Sequence, residues 1–235
     1  MPPLRRLVLP FLLVGGLVGA GVLGVAGPAS ADVTGSTSTD DVVLYNHCQQ
    51  HPIDYDLLVS PGTALWRLEV QVADPAGHVS EGSVVNSATN PTTAGTVTTT
   101  FCGSEPAGTY TVRATGFYEI LPAVEIPYVL PTTTFQVRPA KTRTSLRSTS
   151  LGHGRYRLTT TVREESEKGF AKSNGVTVRI ERLVHGAWKK VRGTALTTVH
   201  GAVTATLTGR AGSKVRAVVP ARNNYAGSSS RAVRL

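Results

Sequence analysis

The chain has 235 residues, of which 40% are hydrophobic, 17% charged and 6% aromatic, and its formal net charge is +9 at pH 7. This length fits one large domain or two small ones, and the apolar content suffices for one or two packed cores, which excludes a disordered chain. The 24 glycines and 14 prolines follow no triplet period, which excludes a collagen, and two cysteines are too few for a disulfide-stapled miniprotein or a four-cysteine zinc site.

Residues 1–31 have the three parts of a secretory signal peptide. A basic start precedes an apolar, glycine-rich run over residues 7–26, and Ala29 and Ala31 then form a small-residue cleavage site. We therefore predict cleavage after Ala31 and a secreted protein that is extracellular or associated with the cell envelope.

An uncleaved membrane anchor is the alternative interpretation of this segment, since about 20 apolar residues can cross a bilayer. Its glycines and Pro10 disfavour a stable spanning helix, so we expect no stable membrane span after cleavage. Residues 19–24 also spell G-x-G-x-x-G. Because no βαβ pattern surrounds them, they do not indicate a dinucleotide site.

Beyond residue 31, apolar and polar residues alternate and turn residues recur about every 8–12 positions, which is typical of an all-β sandwich or barrel. A natural break falls at residues 137–142, where a proline follows an extended stretch. Residues 32–138 carry eleven acidic and three basic residues, whereas residues 139–235 carry four acidic and nineteen basic ones. We therefore predict an acidic domain of net charge −8 followed by a basic domain of net charge +15.

The acidic domain holds the two cysteines of the chain, Cys48 and Cys102. In an exported protein such a pair is expected to form a disulfide. A reactive thiol is one alternative, and a metal site with His47 and His51 is another, but no further ligand pair has suitable spacing. Strands are predicted in this domain over residues 42–45, 57–59, 65–72, 96–101, 106–114 and 132–137.

Two motif groups in the acidic domain resemble known β-sandwiches. The order Cys48, Trp66, Cys102 resembles the immunoglobulin core, in which a tryptophan packs on an inter-sheet disulfide. The Asp-Pro-Ala-Gly of residues 74–77 and the Pro-Ala-Gly-Thr-Tyr-Thr-Val of residues 106–112 are similar to the pre-peptidase C-terminal type of secreted sandwich. The resemblance implies an accessory module rather than a catalyst.

The segment 117–131 contains three prolines and several apolar residues, including Tyr118 and Tyr128. One interpretation is a hairpin with a proline-rich turn. The other is an exposed, conformationally fixed loop that binds a protein partner, as the reactive loop of an enzyme inhibitor would.

The basic domain has a cleaner alternation, and His185 and Gly186 predict a tight hairpin turn. Strands are predicted over residues 155–163, 176–180, 187–192, 202–207 and 215–219, with a last strand inside 223–235.

Four motifs in this half are similar to the bacterial Ig-like repeats of secreted and cell-surface proteins from high-GC Gram-positive bacteria. They are Gly-Val-Thr-Val-Arg-Ile-Glu-Arg from residue 175, Gly-Ala-Trp-Lys-Lys-Val from 186, Gly-x-Val-Thr-Ala-Thr-Leu from 201, and Asn-Tyr-Ala-Gly-Ser-Ser-Ser from 224. The resemblance implies two Ig-like β-sandwich domains in all. Domains of this family act as spacers, adhesive units or partners of catalytic domains, and they have no fixed set of functional residues.

Outward-facing basic residues on several strands predict a positive surface that attracts an anionic cell-wall polymer or a polysaccharide. Nucleic acid is disfavoured because the few aromatic residues of this half align with core positions. Plain solubility with protection of strand edges, or docking of the two oppositely charged domains, are the alternatives. The candidate contact residues are Arg155, Arg157, Arg179, Lys189, Lys190 and Arg216.

No motif for a nucleophile elbow, a zinc protease or a P-loop is present, and the six histidines are scattered. We therefore predict no catalytic residues, no cofactor and no metal site. The predicted function is a secreted, non-catalytic protein for extracellular binding or envelope association. A secreted enzyme inhibitor or small enzyme, and a structural spacer without a ligand, are the alternatives.

Overall fold

A computed structural model describes residues 33–120 and 124–235, and every helix or strand assigned in these ranges is a β-strand. The prediction of an all-β chain is therefore confirmed. The predicted signal peptide, with Ala29 and Ala31, lies outside the described residues. Among the residues that are described, no helix has the length and apolarity needed to cross a membrane.

The first half of the chain forms two sheets. The smaller sheet has the strand order β1-β3-β6, and the larger has the order β2-β9-β7-β4-β5 with β8 paired to β7. The strands are β1 (Thr34–Ser38), β2 (Val42–Leu44), β3 (Gln49–Leu58), β4 (Thr63–Ala73), β5 (Val79–Asn86), β6 (Ala94–Phe101), β7 (Gly108–Ile120), β8 (Val124–Val129) and β9 (Thr133–Pro139).

Side chains from both sheets meet in one hydrophobic core. Leu68, Val70 and Val72 alternate inward along β4, as predicted, and are each at most 2% exposed. Phe101 and Tyr110 contact each other edge to face, with ring centroids 5.3 Å apart. Burial of each such side chain contributes about 1.5–3 kcal/mol, so this core holds the two sheets together.

The predicted disulfide between Cys48 and Cys102 is present. It does not bridge two sheets around a tryptophan, as the immunoglobulin-like order implies. Gln49 pairs with Phe101 in the β3–β6 ladder, so the two cysteines are the next cross-strand pair of the same sheet. Trp66 instead packs near Tyr55, with ring centroids 6.5 Å apart.

The described parts of segment 117–131 form a hairpin. β7 and β8 pair antiparallel up to Ile120 and Val124, which flank the three undescribed residues. Tyr118 and Tyr128 are 3% and 8% exposed, so both side chains are in the core and are not available to a partner.

The second half also forms two sheets. One has the strand order β10-β11-β12 with β16 paired to β11, and the other has the order β14-β13-β17-β18 with β15 on β13 and β19 on β17. The strands are β10 (Thr142–Gly152), β11 (Arg155–Ser166), β12 (Gly169–Lys172), β13 (Thr177–Val184), β14 (Ala187–Lys190), β15 (Leu196–Thr197), β16 (Ala202–Thr208), β17 (Lys214–Val219), β18 (Ser228–Ser229) and β19 (Val233–Arg234).

A second hydrophobic core lies between these sheets, with Leu158 and Val162 of β11 against Ile180 of β13 and Val215 of β17. The predicted hairpin turn at His185 is confirmed, since Val184 pairs with Ala187. His185 and the glycine after it both have positive φ, at 50° and 80°. These angles match the two central residues of a type I′ turn.

The two cores belong to one compact unit, Ala31–Leu235. At their junction the amide of Ala140 donates to the carbonyls of Leu44 (3.1 Å) and Asn224 (3.2 Å). Arg138 also forms a bidentate ion pair with Glu165, with N to O distances of 2.8 and 3.0 Å. The division into domains at residue 138 stays a prediction.

Candidate anion-binding face

One exposed sheet surface collects basic side chains from three strands. We call this surface the arginine face. It is the outer side of the sheet formed by β10, β11, β12 and β16, opposite the core-facing Leu146, Leu158 and Val162. Its basic residues, all exposed, are Arg143, Arg147, Arg155, Arg157, Arg163 and Lys172.

Strand alternation explains why these residues share a face. In β11 the even-numbered residues Tyr156, Leu158 and Thr160 are buried, and the odd-numbered residues between them point outward. The same alternation places Arg143 and Arg147 outward on β10, on either side of the outward Ser145.

The register arranges these side chains in rows across the sheet. Arg143 lies directly opposite Arg163, and Arg163 in turn pairs with Lys172 of β12, so one row holds three cations. Arg147 lies opposite Thr159, and Arg157 lies opposite Thr149. Successive rows on one strand are about 7 Å apart. The face is therefore a positive strip interleaved with hydroxyl groups.

A depression of about 430 Å³ lies at the end of the face that holds Arg143. Among the residues around it are three arginines and four hydroxyl residues. The hydroxyl of Thr144 is 2.6 Å from that of Ser228, so this hydroxyl is engaged away from the depression. The complete lining is Arg143, Thr144, Ser145, Arg147, Thr159, Thr161 and Arg163.

The guanidinium of Arg143 is held over the ring of Phe170, with its carbon 3.8 Å from the ring centroid. A cation over an aromatic face is attracted by the ring quadrupole. This contact restricts where the guanidinium of Arg143 can point.

No ion pair between described residues involves an arginine of this face. Glu165 is the next residue after Arg163 on the same side of β11, and its carboxylate is engaged elsewhere. It accepts hydrogen bonds from Arg138 and from the amide of Lys141, at 2.9 Å for the latter. The hydrogen bonds from Arg138, followed by that from the amide, lower the pKa of Glu165 to about 2. Glu165 is therefore ionised and paired at neutral pH, and it does not neutralise the arginine face.

The six predicted contact residues do not form one surface. Arg155 and Arg157 lie on the arginine face, whereas Arg179 and Arg216 lie on the other sheet and share Glu181. Arg216 is 2.7 Å from a carboxylate oxygen of Glu181 and lies over the Trp188 ring, 4.5 Å from its centroid. These two arginines are thus occupied by internal contacts.

Lys189 and Lys190 are exposed neighbours on β14, so their side chains point to opposite sides of that strand. The basic residues of the arginine face that the predicted contact set lacks are Arg143, Arg147, Arg163 and Lys172. The signal for the first two was their four-residue spacing around Leu146, which puts both on one side of a strand.

Within residues 33–120 and 124–235, no group of three or more His, Cys, Asp or Glu side chains is placed to hold a metal ion. Cys48, which the alternative metal site requires as a ligand, is engaged in the disulfide.

No protein-family model and no curated protein matches the sequence. Among solved structures, the chain is similar to a mutant alpha-2-macroglobulin from Salmonella, with 12% identity and a TM-score of 0.31 over 90% of this chain and 15% of that one. Trypsin-activated alpha-2-macroglobulin from Escherichia coli gives 12% identity and a TM-score of 0.30, over 82% and 14% of the two chains. The native conformation of the Escherichia coli protein gives 12% and 0.30, over 90% and 14%. The chain thus spans about 15% of the length of these proteins.

Proposed function

We propose that this is a secreted, non-catalytic protein of two Ig-like β-sandwich domains that binds an anionic polymer of the cell envelope through the arginine face. The observation that carries the proposal is the grouping of five arginines on one exposed sheet surface, none of them in an ion pair with a described residue. Such a surface concentrates anionic ligands by its field.

The direct pairing of Arg143 with Arg163 favours anion binding over plain solubility as the role of the positive charge. Arg143 and Arg163 are a directly opposed like-charge pair, an arrangement that destabilises a sheet. A charge pattern that served only to keep the chain soluble would gain nothing from this opposition. A bound anion between the two guanidinium groups would relieve it.

The ion pair at the junction of the two halves uses no side chain of the arginine face. The ion pair at the junction is formed by a basic residue of the acidic half, Arg138, and an acidic residue of the basic half, Glu165. This pairing runs against the net charges of the halves.

The disulfide supports export, because such bonds persist mainly in oxidising compartments outside the cytosol. The predicted signal peptide over residues 1–31 is the second argument for a secreted protein.

Retention of the purified protein on isolated cell envelopes over a salt series tests the proposal. Binding should weaken as salt rises, by roughly one unit of logarithmic slope per anionic contact. Replacing Arg143, Arg147, Arg157 and Arg163 together by Gln should lower that slope by about three to four.

The matched control replaces four exposed basic residues off the arginine face, namely Lys189, Arg192, Arg210 and Arg231, by Gln. It lowers the net charge equally and should leave most of the slope. Equal losses in the two variants would show that only net charge matters, and would reject the arginine face as the binding surface.

A further inference from the structure

We infer that the depression around Arg143, Arg147 and Arg163 is a specific site for a tetrahedral oxyanion group, a phosphoryl or sulfuryl group carried by the polymer, in preference to a carboxylate. This inference rests on the proposed function and names the chemistry that the arginine face recognises.

The donors around the depression outnumber what a carboxylate can accept. Three guanidinium groups each present a planar fork of N–H donors. The hydroxyls of Ser145, Thr159 and Thr161 lie on the same side, and none of the three makes a hydrogen bond to a described residue. A carboxylate offers two oxygens in the plane of its carbon, whereas the non-bridging oxygens of a phosphoryl or sulfuryl group are arranged tetrahedrally around phosphorus or sulfur. The tetrahedral group is the better match for guanidinium forks on two strands with hydroxyls between them.

The three arginines stand on two neighbouring strands of the same sheet face. Arg143 stands on β10 directly opposite Arg163 on β11, and Arg147 stands two rows further along β10, opposite Thr159. A single anion in the middle therefore meets positive charge from two strands. Binding there replaces a like-charge repulsion by two charge-assisted contacts.

The ring of Phe170 adds preorganisation. The guanidinium carbon of Arg143 already lies 3.8 Å from the centroid of this ring, so the Arg143 side chain loses less freedom when an anion binds. No aromatic residue lines the depression itself. The site therefore offers forks and hydroxyls to an anionic group and no platform on which a nucleobase could stack.

The test measures the affinity of the purified protein for three polymers at one low salt concentration. They are inorganic polyphosphate, dextran sulfate and polygalacturonate, matched for the number of charges per chain. Polyphosphate, dextran sulfate or both should bind about tenfold more tightly than polygalacturonate, the effect of one charge-assisted hydrogen bond. Preference for one of the two tetrahedral polymers would support the site and identify the group it takes.

The decisive variant is Arg143→Lys with Arg163→Lys, which keeps both charges and removes both forks. It should abolish the preference while leaving polygalacturonate binding unchanged. The control is Arg155→Lys with Arg157→Lys, made on the same face but outside the depression, and it should retain the preference.

Equal affinities for all three polymers would overturn the tetrahedral site while leaving the arginine face as a general polyanion surface. A preference that survives the Arg143 and Arg163 pair of substitutions would also overturn it. Failure of every polymer to bind at low salt would instead refute the proposed function.

Discussion

At the scale of single residues, Glu165 forms the ion pair at the junction of the two halves and so does not neutralise the arginine face. It lies on β11 in phase with the arginines of the face, yet both of its oxygens are held by Arg138 and the Lys141 amide. A carboxylate left free at this position would compete with an anionic ligand for the neighbouring Arg163. Its engagement at the junction leaves the face positive.

This pairing predicts a pH dependence of stability. The pKa of Glu165 falls from an ordinary 4.5 to about 2 in the folded protein, mainly through its hydrogen bonds from Arg138. A group with a depressed folded pKa stabilises the fold above its unfolded pKa, and that contribution is lost as the pH falls towards its folded pKa. The Glu165→Gln variant should therefore be less stable than the natural chain at pH 7, and the difference should shrink between about pH 4.5 and pH 2.

Urea unfolding of both chains at several pH values in this window measures the effect. A difference in the free energy of unfolding that stays constant with pH would mean that the ionised form of Glu165 contributes nothing, and would contradict the assignment.

At the scale of elements, the alternation of apolar residues predicted most of the strands that face the cores. Leu68, Val70 and Val72 indicated β4, and the odd and even residues of 155–163 indicated β11. β10 was missed because Leu146 is its only buried apolar residue among many threonines, serines and arginines. On its inward side, Thr142 and Thr144 hydrogen-bond to Ala226 and Ser228 where other strands place apolar residues.

Only part of the candidate site could be predicted from the sequence. Arg155 and Arg157 follow from the alternation in β11, whereas the opposition of Arg143 and Arg163 depends on the β10–β11 register. β10 and β11 form a hairpin around His153 and Gly154, and an irregularity between Ser150 and Gly152 shifts their register. The alternation of a single strand does not reveal such a shift. The ion pair of Arg216 was equally hidden, because it joins β17 to Glu181 of β13, whereas Arg179 and Glu181 are two residues apart on β13 itself.

The β10–β11 ladder carries a prediction of its own. Arg163→Gln should raise the free energy of unfolding by about 0.2–1 kcal/mol at low salt, since it removes the like charge opposite Arg143. The gain should largely disappear at molar salt, where the repulsion is screened. Thermal unfolding at the two salt concentrations measures it.

Arg157→Gln is the matched control for this prediction, because the directly opposite residues of Arg157 are Thr149 and Thr206. It removes one charge from the same face without relieving a direct opposition. If both variants changed stability equally at low salt, the effect would be one of net charge and the pairwise repulsion would be refuted.

At the scale of the whole molecule, the net charge of +9 is made up of −8 in residues 32–138, +15 in residues 139–235 and +2 from Arg5 and Arg6. The structure joins these halves by backbone hydrogen bonds at Ala140 and by the Arg138–Glu165 ion pair. Neither contact uses a side chain of the arginine face. In the proposed function, the acidic half supports the basic half without neutralising its arginine face. The positive surface then remains available to an anionic polymer.

An NMR titration of the purified protein with inorganic polyphosphate shows whether the anionic ligand binds on the arginine face. The largest backbone amide shifts should fall in β10 and β11, around Arg143 and Arg163, and should disappear in the variant with both residues changed to Gln. Shifts concentrated around Glu181 and Trp188 on the other sheet, or spread evenly over the basic half, would contradict this prediction.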